Sequence, residues 1–376
     1  MNPTPLSLQR LIDFGKNALE SNAFYFLRRE LPIRLANIMQ EFQYLPERLI
    51  KTPSIHELKS WYKKSFMELL EFETADCYSM ENLRHFCHVI SGINQRHAGL
   101  RRKMTQGIEE MGDKADIGEI SERNIHYFLT RLYTTRISVR LLITQHNLLF
   151  DKKKWPPEQT LVGSIDTACD LVKIINNAYD DAKILCTKHF SACPHLEMDI
   201  VNFHGYQFTY VPFHLYIMLF ELFKNSMRAV VEAHLDGKYP PIHVLVIRGN
   251  ENICIKIQDK GGGIPRSQLG LMWKFWRTTS PETYAPGTEG SFTGTGDGLP
   301  LAQIYARYLQ GNIILASYDG YGSDIIIYLK ASASDMSEVL PVFNKECSKR
   351  YLEADISHDW SVPRHLLNPL ISEEKL

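Results

Sequence analysis

The spacing of apolar residues changes once along this chain of 376 residues, near residue 200, and this change limits the folds open to it. From residue 8 to about residue 189 they recur mostly at steps of three and four, as at Ile125, Phe128 and Leu132. This is the spacing of one helix face, and it predicts a helical bundle. Because proline ends helices, breaks are expected at Leu31-Pro32, Tyr44-Leu45-Pro46, Thr52-Pro53-Ser54 and 154–157. A further break is expected in the stretch 112–118, which begins and ends with glycine.

The C-terminal half mixes helix and strand patterns. Residues 212–235 and 299–309 predict helices, whereas 243–247, 253–258, 312–317 and 324–329 predict strands. The short loop Asp319-Gly320-Tyr321-Gly322 indicates a hairpin between the last two strands. We therefore expect an α+β protein of several domains: a helical bundle at 1–190, an α/β sandwich at 200–335 and a polar, irregular tail at 336–376.

Charge and cysteine content argue against several classes of protein. Lys plus Arg number 42 and Asp plus Glu number 43, so no strong net field favours nucleic acid or an anionic membrane. The most apolar window, near 211–223, is interrupted by His214 and Glu221 and is too short to span a bilayer. Seven scattered cysteines without a CxxC pair indicate reduced thiols rather than a zinc site. A secretory signal and an Arg-rich presequence are not recognisable, so no localisation follows from the N-terminus.

A polar stripe marks the predicted 212–235 helix. Glu221, Asn225, Arg228 and Glu232 fall on one face of an otherwise apolar element. The stripe faces either solvent, as most such stripes do, or a cleft.

Two glycine-rich segments accompany this helix. Asp259 ends a predicted strand and precedes Lys260-Gly-Gly-Gly-Ile-Pro, and Gly294-Thr-Gly-Asp-Gly-Leu299 precedes a predicted helix. Glycines before a helix N-terminus expose amide donors that favour phosphate. The second segment fails the dinucleotide fingerprint, and no Walker A sequence exists. The triplet Asp13-Phe14-Gly15 lacks the His-Arg-Asp loop of ordinary protein kinases, so we attribute it to chance.

The order of the three motifs resembles the nucleotide site of the gyrase and histidine-kinase superfamily. Within it, three segments look like the pyruvate dehydrogenase kinases: Glu221-Leu-Phe-Lys-Asn-Ser-Met-Arg228, Gly261-Gly-Gly-Ile-Pro265 and, in the helical half, the run from Phe26 to Asn37. The likeness covers nearly the whole chain. The branched-chain 2-oxoacid dehydrogenase kinase is the near relative and remains an alternative.

The resemblance implies roles for individual residues. Glu221 would be the base that accepts the proton of a substrate serine, Asn225 would hold Mg²⁺, and Asp259 would bind adenine. The further ATP-binding residues implied are Leu222, Phe223, Lys224, Ser226, Met227, Arg228, Gly261, Gly263, Thr278, Thr279, Gly294, Thr295, Gly296, Asp297, Gly298 and Leu299. ATP and Mg²⁺ would be the cofactors, with K⁺ as an optional further ion.

The resemblance also implies partners and a compartment. The substrate would be the E1 component of the pyruvate dehydrogenase complex in the mitochondrial matrix, and the lipoyl domain of the E2 core would be the docking partner. A homodimer is expected, with neither nucleic acid nor membrane insertion. Phe24 and Phe26 would help to receive the lipoyl domain, and Asp359-Trp360 would cross to the partner subunit. For these aromatic residues, core packing is the alternative role.

The active-site region departs from the family pattern in two places, beside the base and in the lid loop. Ile217 replaces a histidine that the family has four residues before the base, and isoleucine cannot hydrogen-bond to a carboxylate. Asp297 replaces an aromatic residue and Thr295 a phenylalanine in the lid loop, and a carboxylate there would repel triphosphate unless it turns outward or faces the metal. We expect a slower kinase, and a non-catalytic regulator is the alternative.

His97, Arg136 and Arg140 match a family pocket for pyruvate-like acids, with a surface ion-pair cluster as the alternative, and Asn94 replaces an arginine there.

Two functions from other classes are disfavoured. A histidine kinase needs a phosphoacceptor histidine, and none of the 14 histidines stands out. A gyrase-like ATPase needs a large transducer domain after the nucleotide fold.

Overall fold

The structure is a computed structural model that describes residues 2–17, 19–112, 118–150, 160–202, 207–276 and 296–352. In its described residues the helical half contains seven α-helices: α1 (Leu8–Asn17), α2 (Glu20–Met39), α3 (Glu47–Ile50), α4 (Pro53–Leu70), α5 (Met80–Arg96), α6 (Leu100–Glu110) and α7 (Glu119–Phe150). Helices α2, α4, α5 and α7 pack side by side around one apolar core, and α6 packs on α4. Among the described residues, none of the helices combines the length and apolar character needed to cross a membrane.

The C-terminal half contains a five-stranded mixed sheet covered by helices. Its elements are β3 (Leu196–Val201), β5 (Ile242–Arg248), β6 (Asn252–Asp259), β7 (Asn312–Tyr318) and β8 (Gly322–Lys330), with α8 (Leu171–Phe190), α9 (Pro212–Ala233), α10 (Arg266–Leu269) and α11 (Gly298–Tyr308). The strand order is β3-β5-β6-β8-β7, and only the β3–β5 pair is parallel. Alternate residues of β5, β6 and β8 are buried, because one face of the sheet packs against α9 and α11. The α+β prediction is confirmed.

Three expectations about local structure are corrected. Pro32 lies inside α2 and does not end it. The segment expected to be helical contains two strands, β1 (Leu161–Val162) and β2 (Ile165–Cys169), which form a small antiparallel sheet with β4 (Phe208–Tyr210). Part of the expected irregular tail is ordered, because α12 (Lys345–Leu352) forms and Glu338 is buried against Arg34 of α2.

Candidate active site

Helix α9 presents its polar stripe to a cavity of about 440 Å³. Pro212 stands in its first turn, where a missing N–H costs no hydrogen bond, so the helix can begin there. Its apolar residues are buried against α8, α11 and β6. The stripe is left on the open side. The polar and charged residues that line the cavity are Glu221, Lys224, Asn225, Ser226, Arg228, Glu232, Asp259, Gln268 and Ser323.

Glu221 is a buried carboxylate with two cations beside it. The residue is 7% exposed. Lys224 Nζ lies 2.8 Å from Oε2, and Arg101 Nη1 lies 3.5 Å from Oε1. Burial raises the pKa of Glu221, but the charges and hydrogen bonds of Lys224 and Arg101 outweigh it and hold this pKa below its usual value. Glu221 is therefore ionised at neutral pH and able to accept a proton.

Asp259 lies at the end of β6, on the wall of the same cavity. Its Oδ1 accepts a hydrogen bond from the Gly261 amide at 3.0 Å, and its Oδ2 accepts one from Ser226 Oγ at 3.0 Å. Burial raises the pKa of Asp259 despite these donors. Two fixed donors hold the carboxyl group in one orientation, which suits it to accept a hydrogen bond from an amino group of a ligand.

The loop after β6 requires glycine at one turn. Gly263 has φ +72°, and a Cβ there would stand 2.0 Å from the Tyr318 carbonyl oxygen. The loop consequently packs against the β7–β8 hairpin, where the Ile264 amide donates to Ser317 Oγ at 2.7 Å. This contact fixes the backbone that forms one side of the cavity.

Most of the sequence-predicted nucleotide residues lie around the cavity. Those among its lining residues are Glu221, Lys224, Asn225, Ser226, Arg228, Asp259, Gly261, Gly263, Gly296, Gly298 and Leu299. Leu222, Phe223 and Met227 are not among the lining residues, and their side chains are fully buried in the apolar core. Thr278, Thr279, Gly294 and Thr295 lie outside the described residues.

Asp297 faces away from the cavity that its neighbours line. Its Oδ1 accepts a hydrogen bond from the Trp276 amide at 3.0 Å, and its Oδ2 lies 4.0 Å from Arg101 Nε. The residue is 4% exposed. The carboxylate is therefore buried and directed away from the cavity rather than outward into solvent, and it already has a cation and a backbone donor as neighbours.

Sequence reasoning missed Arg101. It lies in the first turn of α6, far from α9 in the chain, and no local pattern links the two. Apolar lining residues from other elements were missed for the same reason: Met272, Leu315 and Ile325. Ile217 is half-buried one turn before Glu221 and offers no hydrogen bond.

The three residues matched to an anion pocket lie close together between α5 and α7. Arg136 donates to the His97 carbonyl at 3.2 Å and to Asn94 Oδ1 at 3.1 Å, while Arg140 stacks over the Phe213 ring at 4.3 Å. His97 is buried and its Nε2 lies 3.0 Å from Ser65 Oγ. Burial and the nearby Arg136 lower the pKa of His97 to about 3, so this ring is neutral at neutral pH.

The aromatic residues assigned to docking divide into two groups. Phe24 is fully buried against Phe72 and Phe86, so it is a core residue and cannot present a surface. Phe26 is half-buried and, with Phe14, lines an apolar groove of about 270 Å³ between α1, α2 and α7. Asp359 and Trp360 lie outside the described residues.

Comparison with known proteins assigns both halves. Residues 5–166 match the family model described as mitochondrial branched-chain alpha-ketoacid dehydrogenase kinase, and residues 210–333 match the histidine kinase-, DNA gyrase B- and HSP90-like ATPase.

Similar proteins extend over almost the whole chain. A mitochondrial [pyruvate dehydrogenase (acetyl-transferring)] kinase of Drosophila melanogaster is 43% identical over 96% of the chain and 89% of its own length. Human isozyme 3 of this kinase is 42% identical over 96% and 91%. Rat isozyme 1 is 41% identical over 96% and 85%.

Proposed function

The chain belongs to the pyruvate dehydrogenase kinase family, and we propose from this premise that it is a mitochondrial protein serine kinase. It phosphorylates, and so inactivates, the E1 component of the pyruvate dehydrogenase complex with Mg-ATP. One observation carries the proposal: a buried, ionised Glu221 lines the same cavity as Asn225 and Asp259. That cavity belongs to the half of the chain matched by the ATPase model.

The residues of the cavity fit Mg-ATP. The Asn225 amide oxygen is an oxygen donor of the kind that Mg²⁺ prefers, and Asn225 lines the cavity. A bound Mg²⁺ would neutralise charge on the phosphates. Asp259 would accept a hydrogen bond from the adenine amino group. Met272, Leu315 and Ile325 would pack against the adenine ring.

Glu221 would act on the substrate serine. The serine oxygen bonds to the γ-phosphorus while the bond from that phosphorus to the bridging oxygen of ADP breaks, and Glu221 accepts the serine proton. Lys224 and Arg101 keep the carboxylate ionised until then. A general base typically contributes ~10²–10⁴-fold, so Glu221→Gln is expected to cost roughly 3–5 kcal/mol in the barrier.

Docking and assembly extend the proposal. The groove lined by Phe14 and Phe26 is apolar, which would suit an aliphatic lipoyl arm. We assign this groove to the lipoyl domain of the E2 core. Asp359-Trp360 is proposed to contact the partner subunit of a homodimer. His97, Arg136 and Arg140 remain the proposed site for a small carboxylate.

The decisive test is incubation of the protein with pyruvate dehydrogenase complex, Mg²⁺ and ATP. Loss of dehydrogenase activity with phosphoserine on E1, absent in Glu221→Gln and Asn225→Ala, supports the proposal. Branched-chain E1 is tested in parallel, because the N-terminal family model bears that name. ATP binding without transfer would indicate a non-catalytic regulator, and recovery of transfer in Ile217→His would then explain the loss.

A further inference from the structure

An arginine from the helical half reaches the proposed base. Arg101 of α6 has Nη1 3.5 Å from Glu221 Oε1 and Nε 4.0 Å from Asp297 Oδ2. The guanidinium therefore stands between a carboxylate of α9 and one that immediately precedes α11. Three elements that are distant in sequence meet at this single side chain.

The surroundings of Glu221 explain why a second cation is useful there. Its side chain is 10% exposed, and a buried carboxylate is costly unless paired and hydrogen-bonded. Lys224 occupies Oε2, which leaves Oε1 to Arg101. On the same face of α9, Ile217 lies one turn before Glu221, and its side chain has no polar atom.

Asp297 and Tyr133 complete the charged surroundings. The Trp276 amide fixes Asp297 through Oδ1, so that Oδ2 is directed at Arg101. Tyr133 of α7 faces Arg101 and Asp297, and burial raises its pKa well above the ordinary value, so it is neutral. The charges that act on Glu221 are therefore Lys224 and Arg101, with Asp297 holding Arg101 in place.

We propose that Arg101 is a positioning residue for the phosphotransfer reaction: it aims the Glu221 carboxylate into the cavity and stabilises its negative charge, with Asp297 as its anchor. This inference rests on the proposed role of Glu221 as base. It has a structural consequence, because Arg101 belongs to the helical half. A displacement of α6 relative to α9 would change the strength of the base without altering the ATP-binding residues.

The test is the pH dependence of E1 phosphorylation by Arg101→Gln, Arg101→Lys and the control Arg102→Gln. Arg102 is the next residue, is exposed, and loses the same charge on substitution. Removing the Arg101 charge raises the pKa of Glu221, so the acid limb of kcat is expected to move to higher pH. In Arg101→Gln the rate should fall about fivefold or more on the acid limb and stay within about twofold on the alkaline side. Arg101→Lys should recover most of the acid-limb rate, and Arg102→Gln should follow the wild type.

Different outcomes separate the possible failures. A uniform loss across pH in Arg101→Gln, or an unchanged acid limb, overturns the positioning role. Full transfer by Glu221→Gln would instead overturn the base assignment, and with it the proposed mechanism.

A measurement without catalysis tests the anchor. Urea unfolding of Arg101→Gln, Asp297→Asn and the double variant forms a double-mutant cycle. If Asp297 anchors Arg101, the double variant loses less stability than the sum of the single variants. Strict additivity would exclude Asp297 as the anchor.

Discussion

A methyl group added at Gly298 should separate catalysis from stability. Gly298 begins α11, and a Cβ there would stand 2.7 Å from Glu221 Oε2 and 3.5 Å from its Cδ. Ordinary contact begins at about 3.4 Å, so the carboxylate must move by roughly 0.7 Å or α11 must shift. The carboxylate is the flexible end of a side chain and will yield first, losing its geometry with Lys224.

The two readouts should therefore diverge. Alanine restricts the unfolded chain and stabilises by ~0.4–1 kcal/mol, which offsets part of the packing strain of ~1–3 kcal/mol, so unfolding should change little. A misplacement near 1 Å costs up to ~10²-fold in rate, so kcat for E1 phosphorylation should fall by roughly 10–100-fold. ATP affinity, measured by isothermal titration calorimetry, should change far less, because Asp259 is not displaced.

Gly270→Ala is the matched control, since nothing lies within 4 Å of a Cβ at that position. It should leave kcat within about twofold of the wild type. The reasoning is refuted if Gly298→Ala keeps a wild-type kcat. It is also refuted if the lost activity parallels a loss of several kcal/mol in urea unfolding, because the substitution would then act on the fold rather than on the base.

Three further predictions concern nucleotide binding and stability. Asp259→Asn places an amide group opposite the donors that now face the carboxylate, so ATP affinity should fall by about tenfold or more in calorimetry, and unchanged affinity would contradict the adenine assignment. Arg34→Met leaves Glu338 buried without its cation and should cost ~3–5 kcal/mol in urea unfolding, whereas Lys51→Met, in an exposed pair, should cost less than ~0.5 kcal/mol. Burial lowers the pKa of His214 to about 3, so below about pH 6.5 the unfolded chain binds a proton that the folded chain does not. The free energy of unfolding should therefore fall by ~2 kcal/mol between pH 6.5 and 5. His214→Phe should flatten this pH dependence, and an unchanged slope would show that His214 is not buried in its neutral form.

Elements with local signals were predicted well. Helix α9 was expected at 212–235 and spans Pro212–Ala233, and the β7–β8 hairpin turns at the predicted loop. Each depends on apolar periodicity or turn chemistry within a short segment, which the sequence displays directly. The glycine-rich segment that follows Asp259 was found for the same reason.

Elements that depend on distant contacts were not predicted. Helix α2 continues through Pro32 because Leu31 and Leu35 are buried on either side, and Arg34 is bound to Glu338 from the other end of the chain. This packing outweighs the ~3 kcal/mol that an interior proline costs. No residue near Pro32 in the sequence indicates this packing.

The active site shows the same division, and it changes how two family departures are understood. Judged singly, Ile217 removes a hydrogen bond from the base and Asp297 adds a negative charge beside phosphate. The structure relates both to Arg101, which lies between Glu221 and Asp297. If Arg101 replaces the lost support of the base, Ile217→His should raise the rate little in the wild type but substantially in Arg101→Gln. Equal gains in both backgrounds, measured as kcat for E1 phosphorylation, would show that the two positions act independently.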